Sequence, residues 1–150
     1  MIELRDITPN NFYEILNLRV AEHQKNYVSS AADSLAQAWL YRDTAFPFAI
    51  YADDLPVGFV MLGYYESRNQ YTLWKFFIDE RYQNKGYGKQ ALKLSVDYLF
   101  NRFDTDEIYT GVHVENTIAK RLYISFGFEE TGKFEDNMEE LKYTFKQSYI

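Results

Sequence analysis

The chain of 150 residues carries 22 acidic against 16 basic residues, a net charge of −6, with 47% hydrophobic and 19% aromatic residues and no cysteine. That apolar content is enough for one packed core, so a single domain over 1–150 is expected, and the acidic balance disfavours nucleic acid as a partner. The lack of cysteine excludes disulfides, thiolate-bound zinc and a cysteinyl acyl-enzyme. With no run of 18 apolar residues and an N-terminus, MIELRD, unlike a secretory signal, a soluble cytoplasmic protein without a membrane partner is expected.

Residues 1–6 alternate as a strand. In ITPNNFYEIL, Thr8 is placed to cap a helix with Pro9 at its first position and Ile15, Leu16 and Leu18 inward. A second helix is expected over 34–42. The runs 46–52 and 57–65 are apolar, β-branched or aromatic and are separated by DDLP, the pattern of a hairpin. Residues 70–79 form the next strand, joined to the last through ESRNQ. From 89 to 103 the period changes: Leu92, Val96, Leu99 and Phe103 share a helical face. Residues 107–114 form a strand, 117–126 a helix stopped by Gly127, and 128–134 with 139–145 a hairpin around EDN. The order β-α-α-β-β-β-α-β-α-β-β describes a mixed α+β sheet with helices on its faces.

The stretch YQNKGYGKQAL stands out. Residues 81–95 hold four basic residues and no acid in an otherwise acidic chain, and Gly86 and Gly88 sit where a loop enters a helix. Backbone N–H groups, the helix dipole and the charges of Lys85 and Lys89 together suit a polyphosphate. A P-loop is excluded, because Asn84 and Gln90 stand where Gly and Ser or Thr are needed. Gly86, Gly88 and Ala91 fit a dinucleotide fingerprint, with Asp106 about 20 residues on, but a six-residue loop and an antiparallel meander precede the turn and argue against it.

FFIDERYQNKGYGKQAL resembles the acetyl-CoA-binding segment of the GNAT superfamily of N-acetyltransferases, whose Q/R-x-x-G-x-G/A signature is met by Gln83, Gly86 and Gly88. ENTIAKRLYISFGF resembles that superfamily's second motif, through Asn116, Ala119, Leu122, Tyr123, Phe126, Gly127 and Phe128. Within the superfamily the text is most similar to bacterial diamine and spermidine/spermine acetyltransferases. The resemblance implies a twisted, mostly antiparallel sheet splayed into a V between the strand ending at Asp79 and the one ending near Val114. Acetyl-CoA would lie in that V: Phe76, Phe77 and Ile78 would bind the pantetheine arm by backbone groups, Gln83, Asn84, Lys85, Gly86, Tyr87, Gly88 and Lys89 would hold the pyrophosphate, and Asn116 and Ala119 would complete the site.

The resemblance makes Tyr123 the proton donor to the departing thiolate, a phenol of pKa about 10 against a thiol of about 8.5. His113 is a candidate base or water positioner. Trp74 and Lys75 replace an acid that polyamine-specific relatives can carry, so a carboxylate role there does not transfer. Glu22, Tyr27, Glu66, Trp74 and Asp79 are the candidates for holding the amine, with Trp39, Tyr64 and Tyr65 as further aromatics. Glu22, Glu66 or Asp79 would also serve as a base through water. No metal is expected. The expected activity is acetyl transfer to a primary amine, a polyamine or diamine first; another amine, or a non-catalytic acyl-CoA sensor, are the alternatives. A homodimer is compatible with the family.

Overall fold

The computed structural model describes residues 1–145. Strand β1 (Ile2–Arg5) pairs with β2 (Ala45–Ala52), which runs antiparallel to β3 (Leu55–Tyr65), itself antiparallel to β4 (Gln70–Ile78). Helices α1 (Phe12–Leu16) and α2 (Ala31–Leu40) occupy the connection from β1 to β2. Helix α3 (Tyr87–Arg102) leads to β5 (Glu107–His113), parallel to β4, and α4 (Thr117–Phe126) leads to the hairpin β6 (Glu129–Glu135) and β7 (Met138–Thr144). The sheet order is β1-β2-β3-β4-β5-β7-β6, so the element order read from the sequence is the one observed.

Local chemistry sets the boundaries. Asp53 and Asp54, at φ 47° and 70°, make the two-residue left-handed turn that matches the twist of the β2–β3 hairpin. Helix α4 stops at Gly127, whose φ of 131° lets its N–H reach the carbonyls of Tyr123 and Ile124. Two helices begin away from their expected starts. Thr8 does not cap α1: the Asn11 side chain accepts from Thr8 N–H at 2.8 Å and donates to Asp6 O, pinning a turn that delays the helix to Phe12. Helix α2 starts at Ala31, three residues before the expected start at Ser34, because Ser30 Oγ accepts from Asp33 N–H at 3.1 Å and caps it there.

The sheet buries apolar side chains on both faces. Ile50, Val60, Leu62, Leu73, Ile108 and Leu141 pack under α3 and α4 through Leu92, Val96, Leu99 and Tyr123. Ala49, Tyr51, Phe59, Met61 and Phe77 pack under α1 and α2 through Ile15, Ala31 and Ala38. At the centre, β4 and β5 meet only at Thr72–Tyr109 and Leu73–Thr110. Beyond those pairs the strands diverge, leaving the β4 edge from Trp74 to Ile78 without a strand partner on that side.

Candidate active site

The divergence of β4 and β5 opens a cavity of about 470 Å³. One wall is Trp74 to Ile78 of β4, the other Thr110 to His113 of β5, and the floor is Asn116, Ala119, Leu122 and Tyr123 of α4. The segment between α1 and α2 closes it through Val20, Gln24, Tyr27, Val28 and Ser29, and the glycine turn closes the end nearest α3. Lys75 and Lys89 line it, and no Asp or Glu does among the described residues.

The glycine turn is shaped by backbone conformation. Asn84 and Gly86 are left-handed, at φ 64° and 80°, which turns the chain so that α3 begins at Tyr87 with no side-chain cap on its first N–H groups. Those uncapped donors and the positive end of the α3 dipole are what an anion needs. The two glycines have separate duties. A Cβ on Gly86 would meet only Gln90 Nε2 at 3.9 Å, so glycine is needed there for conformation; a Cβ on Gly88 would stand 3.1 Å from Leu122 Cδ2, so glycine there lets α3 approach α4. Gln83 fastens the loop: its Nε2 donates to Ile78 O and to Gln24 Oε1, both at 2.9 Å. Lys85 lies outside the cavity lining.

Tyr123 is 6% exposed and packs edge-on to Phe76 and beside Phe128. Burial pushes its phenol well above the ordinary value, a rise that neighbouring Thr110 opposes, so it holds its proton at neutral pH. Asn116 caps α4, its Oδ1 accepting from Ala119 N–H at 3.3 Å, and stands where α4 meets the cavity. His113 lines the cavity from the tip of β5, with its Nδ1 accepting from Glu115 N–H at 3.1 Å.

Of the residues expected to hold the amine, Tyr27 and Trp74 line the cavity, whereas Glu22, Glu66 and Asp79 do not. Asp79 is 1% exposed, and its carboxylate accepts from Arg19 N–H, Arg81 N–H and the Arg81 guanidinium. Burial alone would raise its pKa, but the hydrogen bonds and charge of Arg81 with the Arg19 N–H outweigh that and lower it. It is a fastening between the end of β4 and the segment after α1, with no lone pair to spare for a substrate. Glu22 pairs with Lys25 at the surface, and Glu66 sits in the exposed turn after β3. Trp39 is 68% exposed at the end of α2, and Tyr64 and Tyr65 also lie away from the cavity.

The sequence reading gave no role to Lys75, Thr110 or Met138, all in the cavity wall. Lys75 Nζ donates to Ser29 Oγ at 3.0 Å, and burial lowers its proton affinity. Nor did it single out Glu115, whose Oε2 accepts from Tyr27 Oη at 3.0 Å across 88 residues. Its place next to Asn116 was the only local signal.

A model of the acetyltransferase (GNAT) family matches residues 12–128. The chain belongs to the GNAT family of acetyltransferases. As a GNAT enzyme it is an acetyl-CoA-dependent N-acetyltransferase, and the uncapped α3 turn with the unpaired β4 edge fits that cofactor. It is similar to the spermine/spermidine N(1)-acetyltransferase of Bacillus subtilis (strain 168), at 34% identity over 93% of this chain and 95% of that one. Its fold is that of the spermidine N-acetyltransferase of Vibrio cholerae solved with CoA and spermine, at a TM-score of 0.74 and 22% identity over 95% of each chain. A domain from Methanocaldococcus jannaschii shares the fold at a TM-score of 0.76 and 17% identity, over 97% of this chain and 99% of that one.

Proposed function

We propose that this enzyme, acting as one domain, acetylates a terminal primary amine of a polyamine or diamine by direct attack within a ternary complex. The observation that carries the reading is the single cavity in which an uncapped helix start, an unpaired strand edge and the buried Tyr123 phenol face one another. The relatives named for spermine and spermidine acetylation supply the acceptor class.

Acetyl-CoA, when bound, supplies a thioester carbonyl open to attack and a thiolate leaving group. The protein's part follows from its own groups. The first N–H groups of α3, with Lys89 beside them, would hold the diphosphate. The free β4 edge at Phe76 to Ile78 would orient the arm, and its unpaired backbone groups would be the donors for negative charge on the carbonyl oxygen. Phe76, Leu122 and Tyr123 would keep water from that place. Tyr123, kept protonated by burial, would be the proton donor for the thiolate.

One observation favours a second reading, an acceptor with fewer charges: among the described residues the cavity wall holds two lysines and no carboxylate. Incubation with acetyl-CoA and putrescine, spermidine, spermine, an aminoglycoside or an amino-acid amide, reading released thiol, separates these acceptors. The polyamine reading expects turnover fastest with spermidine or spermine; turnover fastest with the amino-acid amide would favour the second. Coenzyme A binding without thiol release from any amine would make the protein a sensor instead.

A further inference from the structure

A primary ammonium has a pKa near that of lysine, about 10.4, so at pH 7 only about four molecules in ten thousand are the neutral nucleophile. Something at the cavity must take its proton. No Asp or Glu lines the walls among the described residues, and the expected acids Glu22, Glu66 and Asp79 lie elsewhere. His113 is ill suited: with Nδ1 accepting from Glu115 N–H, the neutral ring carries its proton on Nε2 and has no free lone pair. Lys75 already donates from its Nζ to Ser29.

One wall residue does connect to a carboxylate. Tyr27 is half-buried in the segment between α1 and α2, its ring lies tilted against that of His113 with centroids 4.7 Å apart, and its hydroxyl donates to Glu115 Oε2 at 3.0 Å. Glu115 is exposed at the tip of β5. Tyr27 therefore bridges the mouth of the V, with one side toward the cavity and its hydroxyl on a solvated carboxylate.

We infer that Tyr27 and Glu115 form the proton exit for the acceptor amine, a role that rests on the acetyl-transfer reading above. An N–H bond of the ammonium breaks as an O–H bond forms on Tyr27 Oη, while the original Tyr27 proton moves to Glu115 Oε2. The amine goes from +1 to 0 and Glu115 from −1 to 0, Tyr27 is neutral before and after, and Glu115 then releases the proton to water. The hydrogen bond to Glu115, with burial and the carboxylate charge adding to it, raises the Tyr27 pKa, so the phenol passes protons on instead of ionising. Other titratable groups line the cavity with Tyr27: Lys75 on β4, Tyr82 before the glycine turn, Lys89 on α3, His113 on β5 and Tyr123 on α4.

The test is kcat with acetyl-CoA and spermidine from pH 6.5 to pH 10 for the wild type, Glu115→Gln, Tyr27→Phe, Glu115→Asp and Glu22→Gln. Glu115→Gln and Tyr27→Phe should fall about 10²-fold at pH 7, and the deficit should shrink toward pH 10 as the amine becomes neutral in solution. Glu115→Asp should recover most of the rate, and Glu22→Gln should follow the wild type. Coenzyme A thermal shifts like those of the wild type would show that the variants keep the cofactor site. A deficit that is the same at every pH would mean that Tyr27 and Glu115 only tie the loop, and no deficit would mean that the proton leaves elsewhere; either overturns the inference. A wild type inert toward every amine would instead overturn acetyl transfer itself.

Discussion

Tyr123→Phe removes one oxygen and leaves the ring in place against Phe76 and Phe128, so it tests proton donation with little change in packing. The stability cost is that of one hydroxyl, about 1 kcal/mol or less, or a Tm change of about 4 °C at most for a domain of this size. The catalytic cost is larger. A positioned acid contributes about 10² to 10⁴ in rate, and the lower end alone is about 2.7 kcal/mol of barrier at 1.36 kcal/mol per tenfold. Because burial holds the wild-type phenol above its ordinary value, the donor keeps its proton and stays neutral through mildly alkaline pH. Tyr123 therefore gives no alkaline loss of activity below about pH 10. Steady-state thiol release with saturating acetyl-CoA should show kcat lowered about 10²-fold, and calorimetry should show coenzyme A affinity changed less than about threefold. A kcat within twofold of the wild type would refute the assignment, and loss of affinity in step with kcat would make Tyr123 a binding residue.

Three further outcomes are expected. Asp79→Asn should lower stability by about 1–3 kcal/mol at pH 7 by weakening the bonds to Arg19 and Arg81; since the folded pKa is lowered, that stability exists above the unfolded value of about 3.9 and is lost as pH falls through the folded one, so the gap to the wild type in urea melts should close below about pH 4. Gly58→Ala would put a Cβ 2.5 Å from Phe77 O and 3.0 Å from Ile78 Cδ1, an overpacking cost of about 1–3 kcal/mol that also shifts the β4 edge; an unchanged Tm and coenzyme A affinity would contradict it. Lys75→Met should lower KM for spermidine about fivefold, by removing about 1 kcal/mol of repulsion between cations, and a higher KM would show that Lys75 helps to hold the acceptor.

Much of the frame was legible because it is encoded locally. The Asp53–Asp54 turn, the stop at Gly127 and the Gly86 entrance each need a backbone conformation that few residues adopt, so a single position reveals them. The start of α2 is equally local, set by the Ser30 cap on Asp33 N–H and not at the expected Ser34. At the acceptor end Tyr27 and Trp74 were legible, whereas the roles of the acids were not, for a physical reason. Asp79 and Glu115 are both carboxylates near motif residues; one is consumed by Arg19 and Arg81, and the other is reached by Tyr27 from the far end of the chain. Which acid is spent on folding and which faces solvent depends on contacts 60 and 88 residues apart, which leave no periodic trace.

The two residue pairs that join β4 to β5 make the middle of the sheet its shortest join. The leaf formed by β5, β7 and β6 is held to the other four strands by that short join, by the Thr110 hydroxyl on Leu73 O, by the Arg68–Glu135 ion pair and the Tyr27–Glu115 hydrogen bond, and by the shared packing of α3 and α4. A ligand wedged between the leaves would knit them together much as an extra strand would, so the amides of β5 and β7 should exchange with deuterium more slowly once coenzyme A is bound.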